Sequence, residues 1–211
     1  MHLNKYYYQL NVTDEQLEYT HNLVKHSIES HTVEDIFKND ESVKGRQYEF
    51  RFTGSLGEVV FADAYGLPRK NKSFGANDGQ DYGQDFNING KSIDTKTMTR
   101  KNNKFKVNYV LNLHYYQIIK NNSLTDEYFC LNLHKEGDNY IASFVGTIDK
   151  NKIINNEIGT LYKKGSKRMK DNNSSIIFDR DTFEIEFKDI TSPTITTEIF
   201  ENKSFKLLKL L

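Results

Sequence analysis

Tryptophan is absent from this chain, cysteine occurs once and proline twice. A lone cysteine excludes a disulfide framework. Cys130 sits inside YFCLNLH, which reads as a buried strand, so it is expected as a small core residue and not as a catalytic thiol. There is no run of about 18 apolar residues, and the opening MHLNKYYYQL lacks the apolar core of a signal peptide. These absences predict a cytoplasmic protein with no membrane association. Internal repeats and low-complexity linkers are also missing. What is present is ordinary globular material: 36% hydrophobic, 27% charged and 13% aromatic residues in 211 positions, enough for one domain with a sizeable core and too apolar for a disordered chain.

A formal net charge of zero gives no general argument for nucleic-acid binding, but its distribution is uneven. Acidic residues are missing from Thr95 through Thr125, a window that holds Lys96, Arg100, Lys101, Lys104, Lys106 and Lys120. A second basic cluster, KKGSKRMK, contributes Lys163, Lys164, Lys167, Arg168 and Lys170. Either is a solvated face or a track for a polyanion.

Periodicity divides the chain. Thr13 followed by Gln16 forms a capping-box pattern, and Leu17, Val24 and Ile28 then recur at helical spacing, predicting a helix from Thr13 to about His31. His21, His26 and His31 are five apart, which spreads them around that helix and makes them surface histidines, not ligands of one metal. YEFRFTGSLGEVVFADAYG predicts a second helix, with Phe52, Leu56, Val59 and Val60 as its apolar stripe and Gly66 and Pro68 as its stop. Gly54 and Gly57 each cost this helix about 1 kcal/mol relative to alanine, which asks for a packing or site explanation. A polar loop follows. Strands are then expected at Asp85 to Ile88, Lys91 to about Met98, KVNYVLNL, EYFCLNLHK and NYIASFVGTI, with a short helix in HYYQIIKNN. SIIFDRDTFEIEFKDI reads as a late hairpin whose second strand alternates Phe183, Ile185 and Phe187 on one face.

The most informative stretch is GQDFNINGKSIDTKT, Gly83 to Thr97. Asn-Gly between two strand-like runs predicts a two-residue type I′ turn at Asn89 and Gly90. Register follows by counting: Ile88 faces Lys91, Asn87 faces Ser92, Phe86 faces Ile93, and Asp85 falls opposite Asp94. Alternation then puts Asp85, Asp94 and Lys96 on one face and Phe86, Ile88 and Ile93 on the core face. Facing carboxylates repel unless something compensates. Mg²⁺ does so, because it favours one or two carboxylates plus waters. A plain Asp/Lys network, with Lys96 neutralising part of the charge, accounts for the same pattern without a metal.

Glu58 in GSLGEVVFADAYG, Asp85 in GQDF, and Asp94 and Lys96 in IDTK resemble the active-site pattern of the PD-(D/E)XK nuclease superfamily. Gln84 stands where that pattern has proline, and Asp78 or Asp81 in NDGQDYGQD are alternatives to Asp85, which the strand-start position favours. The resemblance covers roughly Phe50 to Ile148. It implies an α/β, restriction-endonuclease-like core: a central mixed sheet of four to five strands flanked by helices, with an N-terminal helix and a C-terminal β-hairpin extension. One domain is expected over 1–211, divided as 1–46 N-terminal helical extension, 47–150 catalytic core and 151–211 C-terminal extension. It further implies a Mg²⁺-dependent DNA endonuclease, with Mn²⁺ as substitute and metal held by Asp85, Asp94, the backbone carbonyl of Thr95 and Glu58. Lys96 would orient or deprotonate water, or stabilise developing charge. Arg100, Lys101, Lys104 and Lys106, with Lys163, Lys164, Lys167 and Arg168, become candidate DNA-backbone contacts, and a homodimer that cuts both strands is compatible. The alternative is a catalytically inactive nucleic-acid-binding module of the same fold.

Overall fold

The computed structural model describes residues 5–29, 46–71, 85–119, 124–169, 174–194 and 205–211. In chain order its elements are β1 (Tyr6–Asn11), α1 (Asp14–Glu29), α2 (Gln47–Tyr65), β2 (Phe86–Ile88), β3 (Lys91–Thr99), β4 (Val110–His114), α3 (Tyr115–Ile119) and β5 (Glu127–Glu136). They continue with β6 (Asn139–Asp149), α4 (Lys150–Ile154), β7 (Thr160–Tyr162), β8 (Lys167–Met169), β9 (Ser175–Ile177), β10 (Thr182–Glu186), a 3₁₀ turn (Phe187–Asp189) and β11 (Lys206–Lys209). The architecture is α/β, a mixed sheet flanked by helices. Among the described residues, no helix is long and apolar enough to cross a membrane.

Six strands form the main sheet, in the order β11-β1-β6-β5-β3-β2, and β3 with β5 is its parallel pair. That is one or two strands more than the four to five expected, because both chain ends join it. β1 lies between β6 and β11, antiparallel to each. YYYQLN carries little polar alternation because both its faces are covered: Leu10 lies in the core under the helices, and Tyr7 lies in the core on the opposite side. Each of the two expected extensions, 1–46 and 151–211, thus contributes one strand, β1 or β11, to the main sheet.

Two apolar layers sandwich the sheet. On one side, Val24 of α1 and Phe52, Leu56 and Val60 of α2 pack on Phe86, Ile93, Phe129, Leu131 and Phe144. On the other, Tyr128, Cys130, Val145 and Ile148 pack beneath Leu111, Leu113, Phe183 and Ile185 of a three-stranded sheet ordered β4-β10-β7. Cys130 is fully buried, and that burial pushes its thiol up to about 12, so it is a core residue with no thiolate at neutral pH.

Local signals act where the sequence places them. Thr13 N–H donates to Gln16 Oε1 and Gln16 N–H donates back to Thr13 Oγ1, at 3.0 and 3.2 Å, closing the capping box at the start of α1. Helix α2 ends at Gly66, whose φ of 65° is left-handed. Asn89 and Gly90 have φ of 52° and 81°, as a type I′ turn requires, and the register is the counted one: Ile88 with Lys91, Asn87 with Ser92, Phe86 with Ile93. The late hairpin is different. β9 pairs with β8, whereas β10 runs between β4 and β7. The reason is burial: Phe183 and Ile185 of β10 cover the main sheet from a central strand, while Ser175 and Ile177 of β9 are exposed.

Candidate functional site

The site forms where α2 crosses β3. A β-carbon built on Gly57 would stand 1.8 Å from Thr97 Oγ1, so the helix backbone rests directly on the strand at that point. The close approach explains Gly57, and it sets the next residue, Glu58, beside the β2–β3 hairpin. Gly54 has no such neighbour: nothing lies within 4 Å of its built β-carbon.

Asp85 lies just before β2, and its N–H donates at 2.7 Å to Ile93 O, the residue that Phe86 already faces, so the fourth counted pair, Asp85 opposite Asp94, does not form. Its carboxylate does not lie flat beside Asp94. Oδ2 accepts from both Thr95 N–H and Thr95 Oγ1 at 2.6 Å, which places it at the edge of β3, where β2 has ended. Backbone N–H groups lie in the plane of a sheet, and Thr95 shares the helix-facing side with Ile93. The expectation that Asp85, Asp94 and Lys96 share one face is corrected to this extent: Asp94 and Lys96 do, with Nζ 2.7 Å from Asp94 Oδ2, while Asp85 turns into the edge between the two faces. Freed from the pleat at a strand end, it takes two neutral donors and an ammonium in preference to a facing carboxylate.

That ammonium belongs to Lys70, which the sequence pattern did not single out. Its Nζ lies 2.7 Å from Asp85 Oδ1 and 3.4 Å from Glu58 Oε2. Arg69 fixes the segment that carries it. The Arg69 guanidinium clamps Asp63 of α2 through two 2.7 Å hydrogen bonds and reaches Glu15 of α1 at 2.8 Å, while the Tyr19 hydroxyl donates to Lys70 O at 3.0 Å. Only the Gly66 and Pro68 stop was visible in the sequence; an isolated Arg-Lys in a loop carries no pattern that predicts an inward lysine.

Burial lowers the basicity of Lys96, but Asp94, Asp85 and Glu58 together outweigh it, and the net shift is upward. All four residues predicted from the sequence thus lie within one electrostatic neighbourhood, and Lys96 is protonated throughout the neutral range. Tyr128 backs the pair: Lys96 Nζ stands 5.8 Å from its ring centre, and burial, then Asp94, raises its hydroxyl pKa. His114, at the end of β4, is a further residue the sequence did not flag. Its Nδ1 is buried without a hydrogen-bond partner among the described residues. Burial, Arg180 and Lys96 lower its pKa, and Asp179 opposes them.

The donor set suits a hard cation. Glu58, Asp85 and Asp94 offer carboxylate oxygens, and the Thr95 carbonyl belongs to the residue whose N–H holds Asp85. The Lys70 ammonium already stands as a positive charge between two of the carboxylates. Among the described residues no three His, Cys, Asp or Glu side chains gather as a metal cage. Mg²⁺ asks for less, one or two carboxylates with waters completing the shell.

The basic candidates divide. Arg100 is committed inward: Nε donates to Asn132 Oδ1 at 2.7 Å, a terminal nitrogen donates to Val110 O at 2.6 Å, and the guanidinium lies over Tyr109 and Phe187. Arg168 is also engaged, 2.6 Å from the buried carboxylate of Glu184. As free phosphate contacts these two are corrected to structural residues. Lys101, Lys104, Lys106, Lys164 and Lys167 are exposed. Lys163 is exposed too, pairs with Asp181 at 2.9 Å and stands 5.0 Å from the ring centre of Tyr115, the residue after His114. Lys120, Lys170, Asp78, Asp81, Gln84 and His31 lie outside the described residues. His21 lies 4.6 Å from Phe52 in a tilted ring contact, and with His26 it is exposed on α1, as expected of surface histidines.

Compared with family models, with curated proteins and with solved structures, the chain finds no match in any of the three.

Proposed function

We propose that this protein is a metal-dependent nuclease of the PD-(D/E)XK type that hydrolyses DNA phosphodiester bonds. One observation carries the reading: Glu58 from α2 and Asp85 from the strand start converge on one positive group, the Lys70 ammonium, with the Asp94–Lys96 pair of β3 in the same electrostatic field. The mixed sheet, with a helix laid across the hairpin strand, is compatible with a restriction-endonuclease-like fold. Glu58, Asp85, Asp94 and the Thr95 carbonyl would hold Mg²⁺ or Mn²⁺. When bound, the cation would supply Lewis acidity at a phosphate oxygen.

The chain's own groups account for the rest. Asp94 holds Lys96 over the site and keeps it charged, so Lys96 acts as a cation that orients the attacking water and offsets charge developing on phosphorus oxygens, not as the base. Thr95 fixes the orientation of the Asp85 carboxylate through two hydrogen bonds. Lys101, Lys104 and Lys106 follow the end of β3, and Lys163 stands beside Tyr115, with Lys164 and Lys167 exposed in the same basic run. Both sets suit a phosphate backbone. A homodimer cutting both strands belongs to the same proposal.

A second reading has its own support. Lys70 and Lys96 between them pair all three carboxylates, as a DNA-binding module without catalysis would also allow. Incubating plasmid, linear duplex, single-stranded DNA and RNA with Mg²⁺ or Mn²⁺, beside Asp94→Ala and Lys96→Ala, separates the two. Cleavage by the wild type alone supports the nuclease; equal activity in all three proteins, or none with either metal, sinks it.

A further inference from the structure

Lys70 is placed too deliberately for a stray surface lysine. Its place in the chain is fixed by the neighbouring Arg69, which clamps Asp63 and reaches Glu15, and by the Tyr19 hydroxyl, which donates to Lys70 O. The ammonium is delivered to two carboxylates whose side chains are only 7% and 19% exposed. Acidic groups so poorly hydrated repel each other strongly when brought together. Lys96 makes its contact with Asp94 and reaches Glu58 and Asp85 through its longer-range field.

We propose that Lys70 is a resident counter-ion of the metal site: its ammonium holds Glu58 and Asp85 together while no divalent cation is bound, and it is displaced when one binds. The inference rests on the metal site proposed above and adds a regulation to it. A divalent ion seated about 2.1 Å from a carboxylate oxygen that also accepts from an ammonium would bring two positive centres within a few ångströms. The two cations therefore exclude each other. Metal binding becomes an exchange, and its affinity is reduced by the competition. No residue of the proposed catalytic set needs to move for this, since Asp85 remains fixed by Thr95.

The test uses the full chain and metal alone. Mg²⁺ titration by calorimetry, and Mn²⁺ titration by electron paramagnetic resonance, are compared for wild type, Lys70→Met and Lys70→Arg. Lys70→Met is expected to bind either metal at least several-fold more tightly, with Lys70→Arg near wild type. In EDTA, Lys70→Met should melt below wild type, and saturating Mg²⁺ should close that gap. A lysine with a merely structural role would not tighten metal binding. On the unmutated protein, amine labelling read by mass spectrometry should show Lys70 becoming more reactive as Mg²⁺ is added, so a poorly folding variant does not block the test. If wild type binds metal and Lys70→Met binds it equally or more weakly, or if labelling of Lys70 does not respond to bound Mg²⁺, the counter-ion role is overturned alone. If wild type binds no metal at a site that Asp85→Asn or Asp94→Asn abolishes, the metal site itself falls, and this role with it.

Discussion

A β-carbon at Gly57 would stand 1.8 Å from Oγ1 and 2.8 Å from Cβ of Thr97. Rotation about χ1 moves Oγ1 but not Cβ, which the backbone of β3 holds in the sheet. Gly57→Ala must therefore push α2 off the sheet, at a cost of about 1–3 kcal/mol in urea unfolding. Gly54→Ala, in the same helix with open space around it, should instead be neutral or gain up to about 1 kcal/mol. Equal effects of the two substitutions would contradict the close contact.

Lys96 and Asp94 form a pair whose partners are 23% and 12% exposed. The folded-state pKa of Lys96 lies above its ordinary 10.5, so the stabilisation it contributes is fully present below 10.5 and is lost as pH rises through the folded value. Lys96→Met should be less stable than wild type by about 1–3 kcal/mol at pH 7. The difference should hold constant to about pH 10 and shrink above it. A difference that already fades between about pH 7 and 9 would mean that Lys96 loses its proton early and is available as a base.

His114 works in the opposite direction. Its folded-state pKa is lowered from 6.5 by burial, with Arg180 and Lys96 adding to the effect and Asp179 opposing it. The unfolded chain takes up the proton first, so stability falls as pH drops from above 6.5 to below the folded value. His114→Gln should flatten the urea midpoint between about pH 7.5 and 5 relative to wild type. An unchanged slope would show that the imidazole ionises freely in the folded protein.

How far the sequence revealed this arrangement depended on whether the signal was local. The capping box at Thr13 and Gln16, the Gly66 stop and the Asn89–Gly90 turn are each encoded within a few neighbouring residues, and each element appears in its expected place. The register of Phe86–Ile88 against Lys91–Ile93 followed from the turn, and alternation along β3 brought Asp94 and Lys96 to one face. The direction of the Asp85 carboxylate did not follow, because at a strand end hydrogen bonding to Thr95 and Lys70 decides it. Long-range pairings were equally hidden. YYYQLN reaches its place through Phe144 and Leu208, which lie far along the chain, and Thr182–Glu186 pairs with the distant Val110–His114, leaving Ser175–Ile177 to pair with Lys167–Met169. Charge density marked Arg100 and Arg168 as candidates for a polyanion surface. Only the fold shows that Asn132, Val110 and Glu184 already satisfy them.

That division of the basic residues makes the proposed DNA-binding surface testable. Lys101, Lys104 and Lys106 are exposed at the end of the strand that carries Asp94 and Lys96, whereas Arg100 binds Asn132 and Val110. Charge-neutral substitution of the three lysines should leave the melting temperature nearly unchanged. It should reduce the slope of log K against log salt for duplex DNA by about 0.9 for each phosphate that the variant no longer neutralises. Arg100→Ala should do the reverse, lowering stability by removing a half-buried guanidinium that ties the end of β3 to β5 and β4, with little change in the salt slope of the protein that remains folded. Fluorescence anisotropy across a salt series, with Ca²⁺ replacing Mg²⁺ to prevent cleavage, measures the slopes, and thermal melts measure the stabilities. If the triple lysine variant keeps the wild-type slope, the acid-free window is a solvated face, and the phosphate track must be sought around Lys163, Lys164 and Lys167.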